Sequence, residues 1–364
     1  TARPETDEEE ATVELVEYLK QAVADRASDL FIVAGGVVSE KVEGRLRPIG
    51  TERVFPPETE HLISEIYKLA NRPMDRYQAA GDDDFSFAVP GLARFRVNAY
   101  RQRGSMAAVV RVVSFEIPDW KSMGIPETVM DLADAGHGMV LVTGTAGSGK
   151  STTQACIIDR INRTREAHII TLEDPIEFLH RDQRSIVSQR EIAIDTADYL
   201  SALRACLRQA PDVILLGEMR DHETIRTAMT AAETGHLLIA TLHTKGAVNT
   251  IDRIVDAFPP AQQAQIRVQL SMVLRTVVSQ QLLPDQNGGL VPAFEIMHMT
   301  PAIRSMIRDS KSYQIDNAIA AGSGDGMVTM DQSILALYQA GKISRETVLD
   351  YADNAEQMRR RLGA

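Results

Sequence analysis

Eight residues, Gly144-Thr145-Ala146-Gly147-Ser148-Gly149-Lys150-Ser151, follow the spacing GxxxxGK[ST] and lead into Thr152. Glycines at these positions let backbone N–H groups turn inward around phosphate oxygens, and a helix starting at the end of the loop adds the positive end of its dipole. The apolar run 139–143 comes before the loop and a helical stretch starting near Thr152 comes after it, the context this chemistry requires. Lys150 is expected to reach the β- and γ-phosphates of a nucleotide, and the Ser151 hydroxyl to ligate Mg²⁺.

Phosphoryl transfer also needs acids. The run Asp212-Val213-Ile214-Leu215-Leu216-Gly217-Glu218 is an apolar strand that ends in a carboxylate. Gly217 stands where an aspartate facing the magnesium ion is usual. Asp212 lies at the opposite end of the strand, roughly 15 Å away at strand rise, too far to serve. Glu218 is therefore expected to orient or deprotonate an attacking water. A second apolar run, 169–172, leads into Glu173, Asp174 and Glu177. Carboxylates at the C-terminal end of a parallel strand sit where α/β proteins bind ligands, so Glu173, and after it Glu177, are candidates for positioning the waters of magnesium. A third run ends at Thr241-Leu242-His243-Thr244. His243 is a candidate γ-phosphate sensor or relay between subunits. His236 and His243 have no further zinc ligands in a suitable pattern.

The elements that must carry these residues change in texture along the chain. Residues 11–26 are amphipathic, with Val13, Val16, Leu19 and Val23 at helical spacing. Strands are expected at 30–33 and 42–46, a helix at 58–69, and alternating strand segments from 85 to 113, where Phe85, Phe87, Val89, Phe95 and Val97 take every second position. This reads as a small α+β domain over residues 1–115. Pro118, Gly124 and Pro126 mark residues 116–126 as a linker. Beyond it, the apolar runs 140–142, 169–172, 213–216 and 237–240 are separated by helical stretches, the pattern of buried parallel strands with helical crossovers. Past residue 301 the chain reads as helical, interrupted by a glycine-rich loop at 322–326.

Composition sets bounds on the rest. A chain of 364 residues suits two or three domains. Its two cysteines, Cys156 and Cys206, form no CxxC pair, which excludes a disulfide framework or a tetracysteine zinc module. Both fall in apolar helical patterns and read as buried thiols, a usage that suits a reducing cytoplasm. No apolar run reaches the roughly 18 residues a bilayer span needs, and the acidic start at Asp7 to Glu10 does not fit a secretory signal. The net charge of −11, with no basic stripe interleaved with aromatics, argues against a nucleic-acid translocase.

Taken together, the blocks resemble the type IV pilus and type II secretion ATPases, and within them the pilus retraction ATPases, the PilT family. GTAGSGKST resembles the family's Walker A motif, ITLEDPIEF its aspartate box, DVILLGEMRD its Walker B motif and TGHLLIATLHT its histidine box; ASDLFI and RFRVNAY also fit. The resemblance implies a PAS-like domain over 1–115 and a RecA-like ATPase core over 127–300, with a helical C-terminal part over 301–364. It further implies a hexameric ring that hydrolyses ATP with Mg²⁺ to drive pilus retraction. Such a motor is cytoplasmic, held at the inner membrane through a platform protein of the pilus machinery. Arg96 and Arg111, fifteen residues apart, match the arginines that in this family extend towards the nucleotide phosphates. Residues 301–309, PAIRSMIRD, resemble the family's AIRNLIRE retraction motif, with Ser305-Met306 in place of Asn-Leu and Asp309 in place of Glu. Ile303, Met306 and Ile307 share a face of that helix, and Arg304 and Arg308 are expected to stand four apart on an exposed one. Features near residues 208–211 and 351–354 are also similar to the accessory PilU-type motors. An accessory motor, or a nucleotide-binding regulator of a partner motor, therefore stays open beside the retraction motor.

Overall fold

The structure is a computed structural model that describes residues 5–42, 44–113 and 116–363, with side chains from residue 15 onward in the first helix. The chain divides into two compact units, Thr1–Phe115 and Glu116–Ala364.

In the first unit, α1 (Glu5–Ala24) precedes three strands, β1 (Asp29–Val33), β2 (Val37–Val42) and β3 (Arg45–Arg53). Two helices, α2 (Pro56–Leu69) and α3 (Asp75–Ala80), lead to β4 (Asp82–Val89), β5 (Ala93–Gln102) and β6 (Ser105–Val113). The strands form one antiparallel sheet in the order β3-β2-β1-β6-β5-β4. Phe95, Val97, Ala99, Ala108 and Val110 are buried in one core with Leu62, Ile63 and Ile66 of α2 and with Leu15, Leu19 and Ala22 of α1. The buried stripe of α1 is thus set by Leu15, Leu19 and Ala22, while Val16 and Val23 are only half-buried; the Val13 side chain lies outside the described residues. The strand expected at 42–46 is corrected. Val42 ends β2, Arg45 begins β3, and Gly44, at φ 78°, lies between them, so the expected strand is instead the end of one strand and the start of the next.

Residues 116–126 contain neither helix nor strand. The second unit then builds a seven-stranded sheet in the order β13-β12-β7-β11-β10-β8-β9. Its strands are β7 (Gly138–Thr143), β8 (His168–Glu173), β9 (Ile186–Glu191), β10 (Val213–Leu216), β11 (Leu237–Leu242), β12 (Leu274–Pro284) and β13 (Leu290–His298). All pairings are parallel except β12 with β13. The helices are α4 (Glu127–Met130), α5 (Lys150–Thr164), α6 (Tyr199–Cys206), α7 (His222–Glu233), α8 (Ala247–Asp256) and α9 (Pro260–Val273). After the sheet come α10 (Pro301–Arg308), α11 (Ile315–Ala321), α12 (Met330–Gln339), α13 (Arg345–Tyr351) and α14 (Ala355–Arg361).

Alternate residues of the inner strands feed opposite faces, which is why those strands read as unbroken apolar runs. Met139, Leu141, Ile170, Leu172, Ile214 and Leu216 enter a core with α6 to α9. Val140, Val142, Ile169, Val213 and Leu215 enter another with Cys156, Ile157 and Ile161 of α5. Cys156 and Cys206 are free, buried thiols. A smaller core gathers Leu283 and Ala293 with Met330, Ile334, Val348 and Met358 of the C-terminal helices and with Ile343 from the turn between α12 and α13. The edge strands β9 and β13 and the interior strand β12 were missed by the reading of apolar runs, because Gln189, Ser279, Gln280, Gln281 and Glu295 break the pattern.

Candidate functional site

The parallel register brings the carboxyl ends of β7, β8, β10 and β11 to one edge, with Leu172 paired to Leu216, Leu216 to Ala240 and Leu242 to Thr143. Such an edge is where open α/β sheets bind ligands. The glycine loop rises from β7, and α5 begins at Lys150, two residues earlier than its sequence suggests, so Lys150 and Ser151 form its first turn. Two glycines are required here by geometry. A Cβ on Gly144 would collide with the Gln280 carbonyl oxygen, and one on Gly149, already at φ 87°, would lie 2.7 Å from Gln280 Nε2. Gln280, buried on β12, also accepts a 2.7 Å bond from Thr153 Oγ1, so it braces the loop from below.

A cavity of about 300 Å³ opens over this edge. Ala146, Gly147, Lys150 and Ser151 line one wall, and Glu173, Glu177, Tyr199, Glu218, Arg220 and His243 line the others. Lys150 is buried and donates to the carbonyl oxygens of Gly144 at 2.9 Å and Thr145 at 2.8 Å. Burial lowers its pKa, against the opposing pull of Glu177 and Glu218. The Ser148 hydroxyl and the Gln154 amide nitrogen are buried and have no hydrogen-bond partner among the described residues. Unpaired buried polar atoms and an ammonium held only by carbonyls make a cradle that an anion would complete.

Opposite the loop, the Glu173 carboxylate accepts from Thr171 Oγ1 at 2.7 Å and Gln189 Nε2 at 3.2 Å. Burial nonetheless pushes its pKa up to about 7, helped by the charges of Glu177 and Glu191. Glu218 pairs with the Arg220 guanidinium through one carboxylate oxygen and with His243 Nε2 at 3.3 Å through the other. The glycine at 217 has a steric reason: an added Cβ would lie 2.6 Å from Tyr199 Oη and 3.0 Å from the Leu172 carbonyl oxygen. Asp212 is engaged elsewhere, its carboxylate accepting from the His168 N–H at 2.8 Å. His236 is bonded locally to the Ala231 carbonyl and the Thr234 hydroxyl.

Not every candidate meets in this cavity. Gly149 and Thr152 line a separate, more apolar one of about 370 Å³, with Met123, Gln280, Leu282 and Pro292. Arg96 and Arg111 belong to the first unit, where they are direct cross-strand partners on β5 and β6. Arg111 donates to Asp29 Oδ1 at 2.9 Å, and Asp29 is its partner on β1 in turn, which relieves the like charges side by side. Tyr199, Arg220 and Gln280 escaped sequence reading. Arg220 was legible in part, as a cation two residues after the strand-end acid. Tyr199 and Gln280 reach the site through separate elements, and nothing local marks them.

A glycine loop between a parallel strand and a helix, faced by acids at neighbouring strand ends, defines a nucleotide-phosphate site of the α/β class. The chain belongs to the type II/IV secretion system protein family, whose model matches residues 5–327. It is 44% identical over 342 residues to the type IV pilus retraction ATPase PilT of Pseudomonas aeruginosa, covering 93% of this chain and 98% of that one. It is 37% identical over 348 residues to the type IV pilus ATPase PilU of the same organism, covering 95% and 91%. Among solved structures it is similar to the pilus retraction motor PilT with bound ADP, with a TM-score of 0.86 and 42% identity over 95% of this chain and 98% of that one.

Proposed function

We propose that this chain is a motor ATPase that hydrolyses ATP to drive retraction of type IV pili. The convergence of Lys150, Ser151, Glu173 and Glu218 on one cavity carries this reading. The likeness to PilT over nearly the whole of both chains supports the cellular role. PilT at 44% identity and PilU at 37% favour the retraction motor over the accessory one.

In this mechanism the backbone of the loop and first helical turn, Gly144 to Ser151, cradles the triphosphate, and Lys150 exchanges its carbonyl partners for phosphate oxygens. The cavity offers the hydroxyl and carboxylate oxygens that suit Mg²⁺: Ser151 would hold the ion and Glu173 would position its waters. When bound, the ion neutralises charge on the phosphoryl oxygens. Glu218 takes the proton of the attacking water, and His243 holds the second oxygen of that carboxylate. Arg96 and Arg111 supply guanidinium charge to the transferred phosphoryl group. The domains follow the family pattern: PAS-like over 1–115, a linker over 116–126, a RecA-like core over 127–300 and a helical part over 301–364. The working form is a hexamer at the cytoplasmic face of the inner membrane, docked on the platform protein of the pilus. No helix among the described residues is long and apolar enough to cross a membrane.

Deleting the gene in its source organism and imaging the pili tests this. Abundant pili that no longer retract are expected. Loss of pili would overturn the reading in favour of an assembly motor, and normal retraction in favour of an accessory one.

A further inference from the structure

The backbone after β10 displays its side chains in alternation. Met219 is buried in the core and its N–H donates to the Thr241 carbonyl at 3.2 Å. The residues on either side of it, Glu218 and Arg220, both line the phosphate cavity. The side chain of Arg220 is 74% exposed, whereas that of Glu218 is 12% exposed. The guanidinium of Arg220 closes on one oxygen of Glu218, and His243 stands at the other.

We infer that Arg220 is a positioning residue for the ATPase reaction, fixing the Glu218 carboxylate so that its remaining lone pairs meet the attacking water. The assignment rests on the hydrolytic reading of the site given above. A carboxylate has about four lone-pair sites, so two partners leave room for a water. The water oxygen bonds to the γ-phosphorus, the bond from that phosphorus to the β–γ bridging oxygen breaks, and the water's proton passes to Glu218 while ADP and phosphate leave. A half-buried carboxylate on an extended segment would otherwise rotate about its own side-chain bonds. Misplacement of a base by about an ångström is enough to cost rate without costing affinity. An ion pair between neighbours two apart in sequence, the exposed partner of which touches no other side chain within bonding distance among the described residues, contributes little to stability.

A double-mutant cycle on the full chain tests the assignment, with steady-state ATP hydrolysis as the readout. Arg220→Ala is expected to lower kcat by about tenfold or more and to leave KM within roughly threefold. Arg220→Lys should recover part of the loss, since the charge returns without the planar fork. In a Glu218→Gln background, Arg220→Ala should add less than about twofold, because both changes remove one interaction. An equal loss in both backgrounds would overturn the inference and assign Arg220 a direct role on phosphate or fold. Unchanged kcat in Arg220→Ala beside an impaired Glu218→Gln would overturn it while the hydrolytic reading stands. If Glu218→Gln hydrolyses ATP like the parent, both readings fall.

Discussion

Lys150 and Glu173 face each other across the cavity, and burial acts on both, lowering the lysine and raising the acid. Lys150→Ala should abolish binding of a fluorescent ATP analogue, because the phosphates then lose their main countercharge; affinity near that of the parent would refute this. Glu173 gives a pH signature. Its carboxyl titrates near 7 in the folded chain against an ordinary value of 4.5, so the folded state holds the proton more tightly than the unfolded one. The corresponding stability is complete below the ordinary carboxylate range and is lost as pH rises through about 7. Urea midpoints of the nucleotide-free protein between pH 5 and 8 should therefore fall more steeply for the parent than for Glu173→Gln. Parallel profiles would show that Glu173 is ionised throughout.

At the scale of elements, α10 departs from its sequence reading. Ile303 and Ile307 are fully buried and Met306 packs beside the same core, as the spacing implies. Arg304, however, is not part of an exposed pair. It donates to the Ser271 and Met272 carbonyls at the C-terminal end of α9, the latter at 3.3 Å, while Arg308 stays exposed. Last-turn carbonyls have no partner inside their own helix, and a guanidinium both satisfies them and complements the dipole. Arg304→Ala should thus destabilise the fold by about 1–2 kcal/mol, and Arg308→Ala by no more than about 0.5 kcal/mol. Denaturant unfolding of the two single variants checks this, with equal midpoints as the contrary result. Any role in retraction carried by an exposed cation on this helix rests on Arg308, and a double variant would confuse coupling with stability.

For the whole molecule, the arginine row of the first unit is the feature that invites a test. Arg96 and Arg111 are held side by side although like charges repel, with Asp29 bonded to only one of them among the contacts described. Arg96→Ala should lower kcat by as much as about 10³ while nucleotide affinity holds, the signature of an arginine that meets charge developing in the transition state. Normal turnover would remove the first unit from the reaction. Light scattering at micromolar concentration with ATP should report a hexamer, and a strict monomer under those conditions would sink the ring.

The amino-acid sequence by itself determined the phosphate loop, four of the five inner strands and the acids that follow two of them. These are local patterns: glycine freedom at fixed spacing, apolar runs buried on both faces, and a carboxylate where such a run stops. The strand β12, between β13 and β7, was not legible, since it carries Ser279, Gln280 and Gln281, whose burial makes sense only beside the loop they support. The same holds for Gly217, whose missing side chain is explained by Tyr199 arriving from α6. Arg304 looked solvent-exposed because the carbonyls it caps lie some thirty residues away in sequence. Contacts of that kind depend on which helix ends and strand edges packing brings together, and periodicity within one segment carries no record of them. Only the tertiary structure decided them.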